Sequence, residues 1–227
     1  LVRQFAVAPI PPYRLRISPD GRTAAGINSG RLVTWDLESG QCLQTLTGHT
    51  FGIESVSITP DGRLAVSASW DNTLCVWDLQ NGQCLQTLLG HTDGVNSVSV
   101  TPDGRRAVSA SWDRTLRVWD LQSGECLHTL MGHMEVVKSV SVTPDVRRAV
   151  SASDDQTLRV WDLQSGECLK TLLGHTKEVE SVSITPDGRL VASASRDGTL
   201  RVWDLHSEQG VQTLLGHTDS VRSVSVT

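Results

Sequence analysis

Residues 53–59, Ile-Glu-Ser-Val-Ser-Ile-Thr, alternate apolar and polar side chains with the period of a half-buried strand, and Pro60-Asp61-Gly62 then ends the run with turn chemistry. Residues 64–69, Leu-Ala-Val-Ser-Ala-Ser, are small and β-tolerant, and they lead into a tight turn at Asp71-Asn72, matched by Asp197-Gly198 farther along. Residues 73–77 read as a third strand closed by Asp78 and the Asn81-Gly82 turn, and residues 84–88 as a fourth that ends before Gly90-His91. These four segments are strands a to d of one unit. No window carries apolar residues at i, i+3, i+4 and i+7 over a dozen positions, so the chain is expected to be all-β.

The unit recurs every 42 residues. Gly48-His49 returns as Gly90-His91, Gly132-His133, Gly174-His175 and Gly216-His217, while Trp35-Asp36 returns at Trp77, Trp119, Trp161 and Trp203. A supersecondary unit copied at a fixed interval cannot bury its own apolar face until neighbouring copies stack against it. Radial packing of the sheets around a channel hides their edges best, and with no linker in the chain residues 1–227 read as one domain.

The Gly-His pair, the Ser-x-Ser-x-Asp hairpin exemplified by Ser67, Ser69 and Asp71, and the terminal Trp-Asp resemble the WD-repeat β-propeller family over essentially the whole chain. That resemblance implies an all-β propeller of four-stranded antiparallel blades, each held by a buried hydrogen-bonded quartet. The matching residues are His49, Ser67, Asp71 and Trp77; His91, Ser109, Asp113 and Trp119; His133, Ser151, Asp155 and Trp161; and His175, Ser193, Asp197 and Trp203. Ser69 and its equivalents are the second choice for the hydroxyl. The indole N–H needs an acceptor, the hydroxyl accepts it and passes its own proton to imidazole, and the carboxylate takes the other imidazole proton. Ser, His and Asp also invite a reading as a hydrolytic triad, but four equivalent copies each tied to a Trp mark scaffolding rather than one activated nucleophile.

The pattern breaks in informative places. The first copy has Ala8 in place of His and Gly26 in place of Ser, and lacks the turn Asp, so it has no quartet. Val146 replaces the turn glycine of Gly62, Gly104 and Gly188, which costs about 1–2 kcal/mol if the position needs positive φ. Glu208 and Gly210 alter the last c–d turn. Residues 1–6 fall on a strand d and residues 221–227 on a strand a, giving five complete blades and two orphan strands. Completion of the sixth blade is expected to take about 25 further residues, or about 67 for seven blades, so the domain is read as incomplete at its C-terminus.

Two columns vary while the frame repeats. Trp70, Trp112, Asp154 and Arg196 precede the hairpin turn of their units, and Tyr13, Glu54, Asn96, Lys138, Glu180 and Arg222 stand near the start of strand a. In the family these positions ring the channel mouth, so the resemblance implies a partner-binding face there, rich in the aromatic and Arg side chains that dominate binding hot spots. The function read from this is a non-catalytic protein-protein interaction scaffold taking a peptide or protein segment, as part of a larger signalling protein. A self-assembling structural propeller joined through its orphan strands, or a propeller-based hydrolase, are the other readings.

Bulk properties narrow the partners. The net charge is −5 and no basic run exceeds two residues, which argues against nucleic acid. No apolar stretch nears the roughly 18 residues that cross a bilayer, and no membrane partner is expected. Cys42, Cys84, Cys126 and Cys168 share one place in four units, too far apart to pair, and with Cys75 they suit a reducing, cytoplasmic setting. The periodic histidines lie in separate units and cannot converge on one ion, so neither metal nor cofactor is expected.

Overall fold

The computed structural model describes residues 14–18, 20–28, 31–207 and 210–226. Within them lie five four-stranded antiparallel sheets, each built from strands consecutive in sequence, and no helix. In the second sheet strands a to d are Ile53–Ile58, Leu64–Ser69, Leu74–Asp78 and Cys84–Leu88. The first sheet begins with Arg14–Ile17, and the third, fourth and fifth with Val95–Val100, Val137–Val142 and Val179–Ile184. Residues 1–6 and Tyr13, read above as a strand d and a rim position, lie outside the described residues, as do Ala8 and Glu208.

The alternation in strand a slips once. Two polar residues, Glu54 and Ser55, follow Ile53, and there the register jumps from Ile53 opposite Ser69 to Ser55 opposite Ala68. The same bulge falls at Asn96, Lys138 and Glu180. A bulge leaves one residue outside the ladder and re-aims its side chain. The run is therefore not a regular strand, and the residue expelled from it is the rim residue each time.

The core sits between sheets. Val66, Ala68, Leu74, Val76 and Leu88 of the second sheet pack with Val95, Val98, Ala107, Trp119 and Leu121 of the third, and the next two junctions repeat the arrangement. Strand b is buried on both faces whereas strand d is mostly exposed. Each junction also carries side-chain hydrogen bonds. The Ser55 and Ser57 hydroxyls accept the backbone N–H groups of Val98 and Val100 at 3.3 and 3.1 Å, which explains serine on the polar side of strand a. Leu15 and Ile17 of the first strand a, with no sheet described on their open side, are exposed, whereas Val56 at the equivalent of Leu15 is buried.

Residues 221–226 lie in the place of a sixth strand a. Val224 and Val226 donate their N–H groups to Ser181 and Ser183 as each strand a does to the sheet before it. Among the described residues no strand pairs with them, and they form no ladder.

Val146 has φ 62°, beside 70°, 69° and 71° at Gly62, Gly104 and Gly188. The turn imposes the conformation: Val146 N–H bonds the Thr143 carbonyl at 3.0 Å, and the Asp145 carboxylate and Thr143 hydroxyl accept the N–H groups of Arg147 and Arg148, both at 3.0 Å. Val146→Gly should relieve left-handed strain at a β-branched residue and, net of glycine's greater unfolded-state entropy, stabilise the protein by about 1 kcal/mol. A higher urea midpoint with an unchanged slope is the expected readout, and a lower midpoint would mean the strain is absent.

Candidate functional site: the channel face

Each quartet is closed by hydrogen bonds that span a sheet and the loop before it. In the second sheet the Trp77 indole N–H donates to Ser67 Oγ at 2.7 Å, Ser67 Oγ lies 2.7 Å from His49 Nε2, and His49 Nδ1 lies 2.9 Å from Asp71 Oδ2. With its oxygen taken by the indole, the serine gives its proton to Nε2, and the Nδ1 proton then goes to the carboxylate. The equivalent groups meet at 2.7–2.9 Å around His91, His133 and His175. Ser67, Ser109, Ser151 and Ser193 have no exposed surface, so no substrate carbonyl can reach them. Ser69 instead serves the turn, accepting the Asp71 N–H at 3.1 Å.

Burial pushes the quartet carboxylates up, but hydrogen bonds outweigh it. For Asp113 and Asp155 the histidine imidazole and the Thr115 or Thr157 hydroxyl hold the acid well below the usual carboxylate range. Asp197 is held low by Thr199, by the Thr176 N–H and by His175, and Asp71 is lowered by Thr73, Thr50 and His49. Burial lowers His175 in turn, only partly offset by Asp197.

The strands a of all five sheets, with residues 222 and 223, line one cavity of about 450 Å³ whose wall includes Arg16, Lys138, Glu180 and Arg222. Around its mouth the two variable columns meet in pairs in the third, fourth and fifth sheets. Trp112 donates its indole N–H to Asn96 Oδ1 at 2.6 Å, and Asn96 donates to the Val137 carbonyl at 3.0 Å. Lys138 pairs with Asp154 at 3.2 Å, and Arg196 pairs with Glu180. Lys138 Nζ also sits 5.3 Å from the ring centroid of Trp112, which ties the third sheet to the fourth. Burial raises the Asp154 carboxyl, against the pull of Lys138.

Trp70 and Trp112 are 47% and 43% exposed, unlike the buried Trp-Asp indoles. Both backbone N–H groups bond glycine carbonyls, those of Gly52 and Gly94. A Cβ on Gly94 would stand 3.2 Å from Trp70 Cδ1, so that glycine is what lets the indole lie down between two sheets. Gly52 and Gly94 occur only in the two repeats that carry the extra tryptophans, a signal the sequence held but that the rim columns alone do not reveal. The cleft between the two indoles measures about 220 Å³ and is lined by Trp70, Asp93, Gly94 and Trp112.

Other chemistry-bearing residues do not converge. Among the described residues no group of three or more His, Cys, Asp or Glu is placed to hold a metal. The five cysteines are free; burial, and next the neighbouring Cys84, push the Cys75 thiol up to about 12. The His128 imidazole packs against Gly166 of the next c–d turn.

A family model described as "WD domain, G-beta repeat" matches residues 40–78, 82–120, 124–162 and 166–204. Curated proteins similar to parts of the chain include the WD repeat and SOCS box-containing protein 1 of Homo sapiens, 41% identical over 64 residues, which are 27% of this chain and 15% of that protein. The periodic tryptophan protein 2 homolog of Neurospora crassa is 34% identical over 61 residues, 26% of this chain and 7% of its own length. The guanine nucleotide-binding protein subunit beta-5b of Danio rerio is 40% identical over 50 residues, 22% of this chain and 13% of that subunit. The chain thus spans well under a fifth of the length of each of these relatives.

Proposed function

This chain belongs to the WD-repeat family, whose members generally act as protein-interaction scaffolds, and from that premise we propose that it is a non-catalytic scaffold seating a peptide or protein segment on the channel face. The observation that carries this reading is the contrast between frame and rim. Four near-identical quartets fix the sheets, while the residues at the mouth differ from one sheet to the next and are held by their own pairs. Variation that a rigid support keeps in place suits recognition, because ordered side chains lose little freedom when a partner binds. Two half-exposed indoles beside charged pairs are the composition of a binding hot spot.

Trp70→Ala and Trp112→Ala test it. Both side chains lie outside the core clusters, so each variant should unfold within about 1 kcal/mol of the parent. In proximity labelling or pull-down of the full chain, at least one partner of the parent should be lost from both variants. Variants that fold normally and retain every partner would end this reading. Its cytoplasmic setting is part of the proposal, in keeping with five unpaired thiols.

A further inference from the structure

The cleft between Trp70 and Trp112 has a chemistry of its own. Its wall holds two indoles, one carboxylate and a glycine, with no cation among them. Asp93 is exposed, and its Oδ1 accepts the Gly94 N–H at 2.7 Å, which fixes the carboxylate beside the cleft. Its other oxygen has no partner among the described residues. Trp112 is held by Asn96, and Trp70 lies against Gly94, so both rings are in place before any ligand arrives.

We propose that this cleft receives a cationic side chain, arginine or lysine, of a peptide bound on the channel face; the inference rests on the recognition reading above. Indole faces attract cations through the ring quadrupole, and the carboxylate supplies the opposite charge. The molecule uses the same contact internally, since the Lys138 ammonium already lies over Trp112, neutralised by Asp154. A neutral apolar side chain could stack on the rings, but it would cover Asp93 without pairing it, and an unpaired carboxylate taken from water is penalised. The cleft therefore selects charge rather than bulk. About 220 Å³ is ample for a guanidinium with part of its stem.

The test uses the ¹⁵N-labelled chain and acetylated, amidated pentapeptides Gly-Ser-X-Ser-Gly in which X is arginine, citrulline or norleucine. Citrulline keeps the shape of arginine and removes its charge. The arginine peptide should move the indole N–H resonances of Trp70 and Trp112 and bind about tenfold more tightly than the citrulline peptide, the size of a partly desolvated cation–π contact. Asp93→Asn should narrow that difference to about threefold, the share left to the indole faces. Equal binding of arginine, citrulline and norleucine peptides at these indoles would overturn the charge preference while the recognition reading stands. If no peptide moves either indole, the cationic pocket is wrong, and whether the recognition reading falls with it is decided by the pull-down with Trp70→Ala and Trp112→Ala.

Discussion

Trp119→Ala is expected to destabilise the protein by about 5 kcal/mol, the upper end for truncating a buried tryptophan. Trp119 is 1% exposed and sits in the core cluster that joins the second and third sheets, so its loss opens a cavity at a junction rather than within one sheet. It also strips Ser109 of its indole donor inside a buried network in which His91 and Asp113 depend on each other. Because tandem units are held mainly by their neighbours, weakening one junction should broaden the urea transition as well as shift it. Trp119→Phe is the milder change, since it keeps a six-membered ring in the core and loses the N–H with the rest of the indole; about 2–3 kcal/mol is expected. The Ser109→Ala, Trp119→Phe double variant should cost less than the two single losses added, as coupled groups do. A Trp119→Ala protein within 1 kcal/mol of the parent would show that the quartets do not hold the sheets together.

The periodicity made the strands legible, because turn residues recur at fixed offsets and the apolar residues face a neighbouring copy of the same unit. Strands b and d of the second sheet fall where residues 64–69 and 84–88 were expected. What pattern reading missed follows from contacts between units. Strand a looked like plain alternation, yet the consecutive polar pair at Glu54-Ser55 is the mark of a bulge that turns the rim residue toward its hairpin. Both Ser67 and Ser69 suited the hydroxyl role; distance decides it, since the indole of Trp77 reaches Ser67 and the turn consumes Ser69. Residues 221–227 read as a strand because strand propensity is local, whereas a ladder needs a second strand to bond with. The rim pairs Asn96 with Trp112, Lys138 with Asp154 and Glu180 with Arg196 are 16 residues apart in every case, a spacing whose meaning appears only once the bulge and the hairpin are seen side by side.

Acidification from pH 7 to pH 3 should cost the protein a few kcal/mol of stability, with more lost below pH 3. Asp113, Asp155 and Asp197 have pKa values held far below that of a free carboxyl by the imidazole, hydroxyl and backbone donors around them, and their side chains are only 6%, 8% and 5% exposed. A group whose pKa is depressed by folding binds more protons when unfolded, so its contribution is complete above the unfolded pKa near 4 and is lost as pH falls toward the folded value. A paired native carboxylate contributes on the order of 2 kcal/mol, and three of them rival the whole stability of a small domain. His175, also lowered, adds a smaller loss of the same sign that begins as pH drops below its ordinary value of 6.5. Stability from urea titrations at successive pH values should therefore be level above pH 7, decline slightly to pH 5 and fall steeply below pH 4. Asp155→Asn should lower stability at pH 7 yet flatten the acid limb, because one proton-linked group has been removed. A parent protein equally stable at pH 7 and pH 3 would mean that these carboxylates are not held by the quartets, and with them would go the account of what keeps each sheet attached to the loop before it.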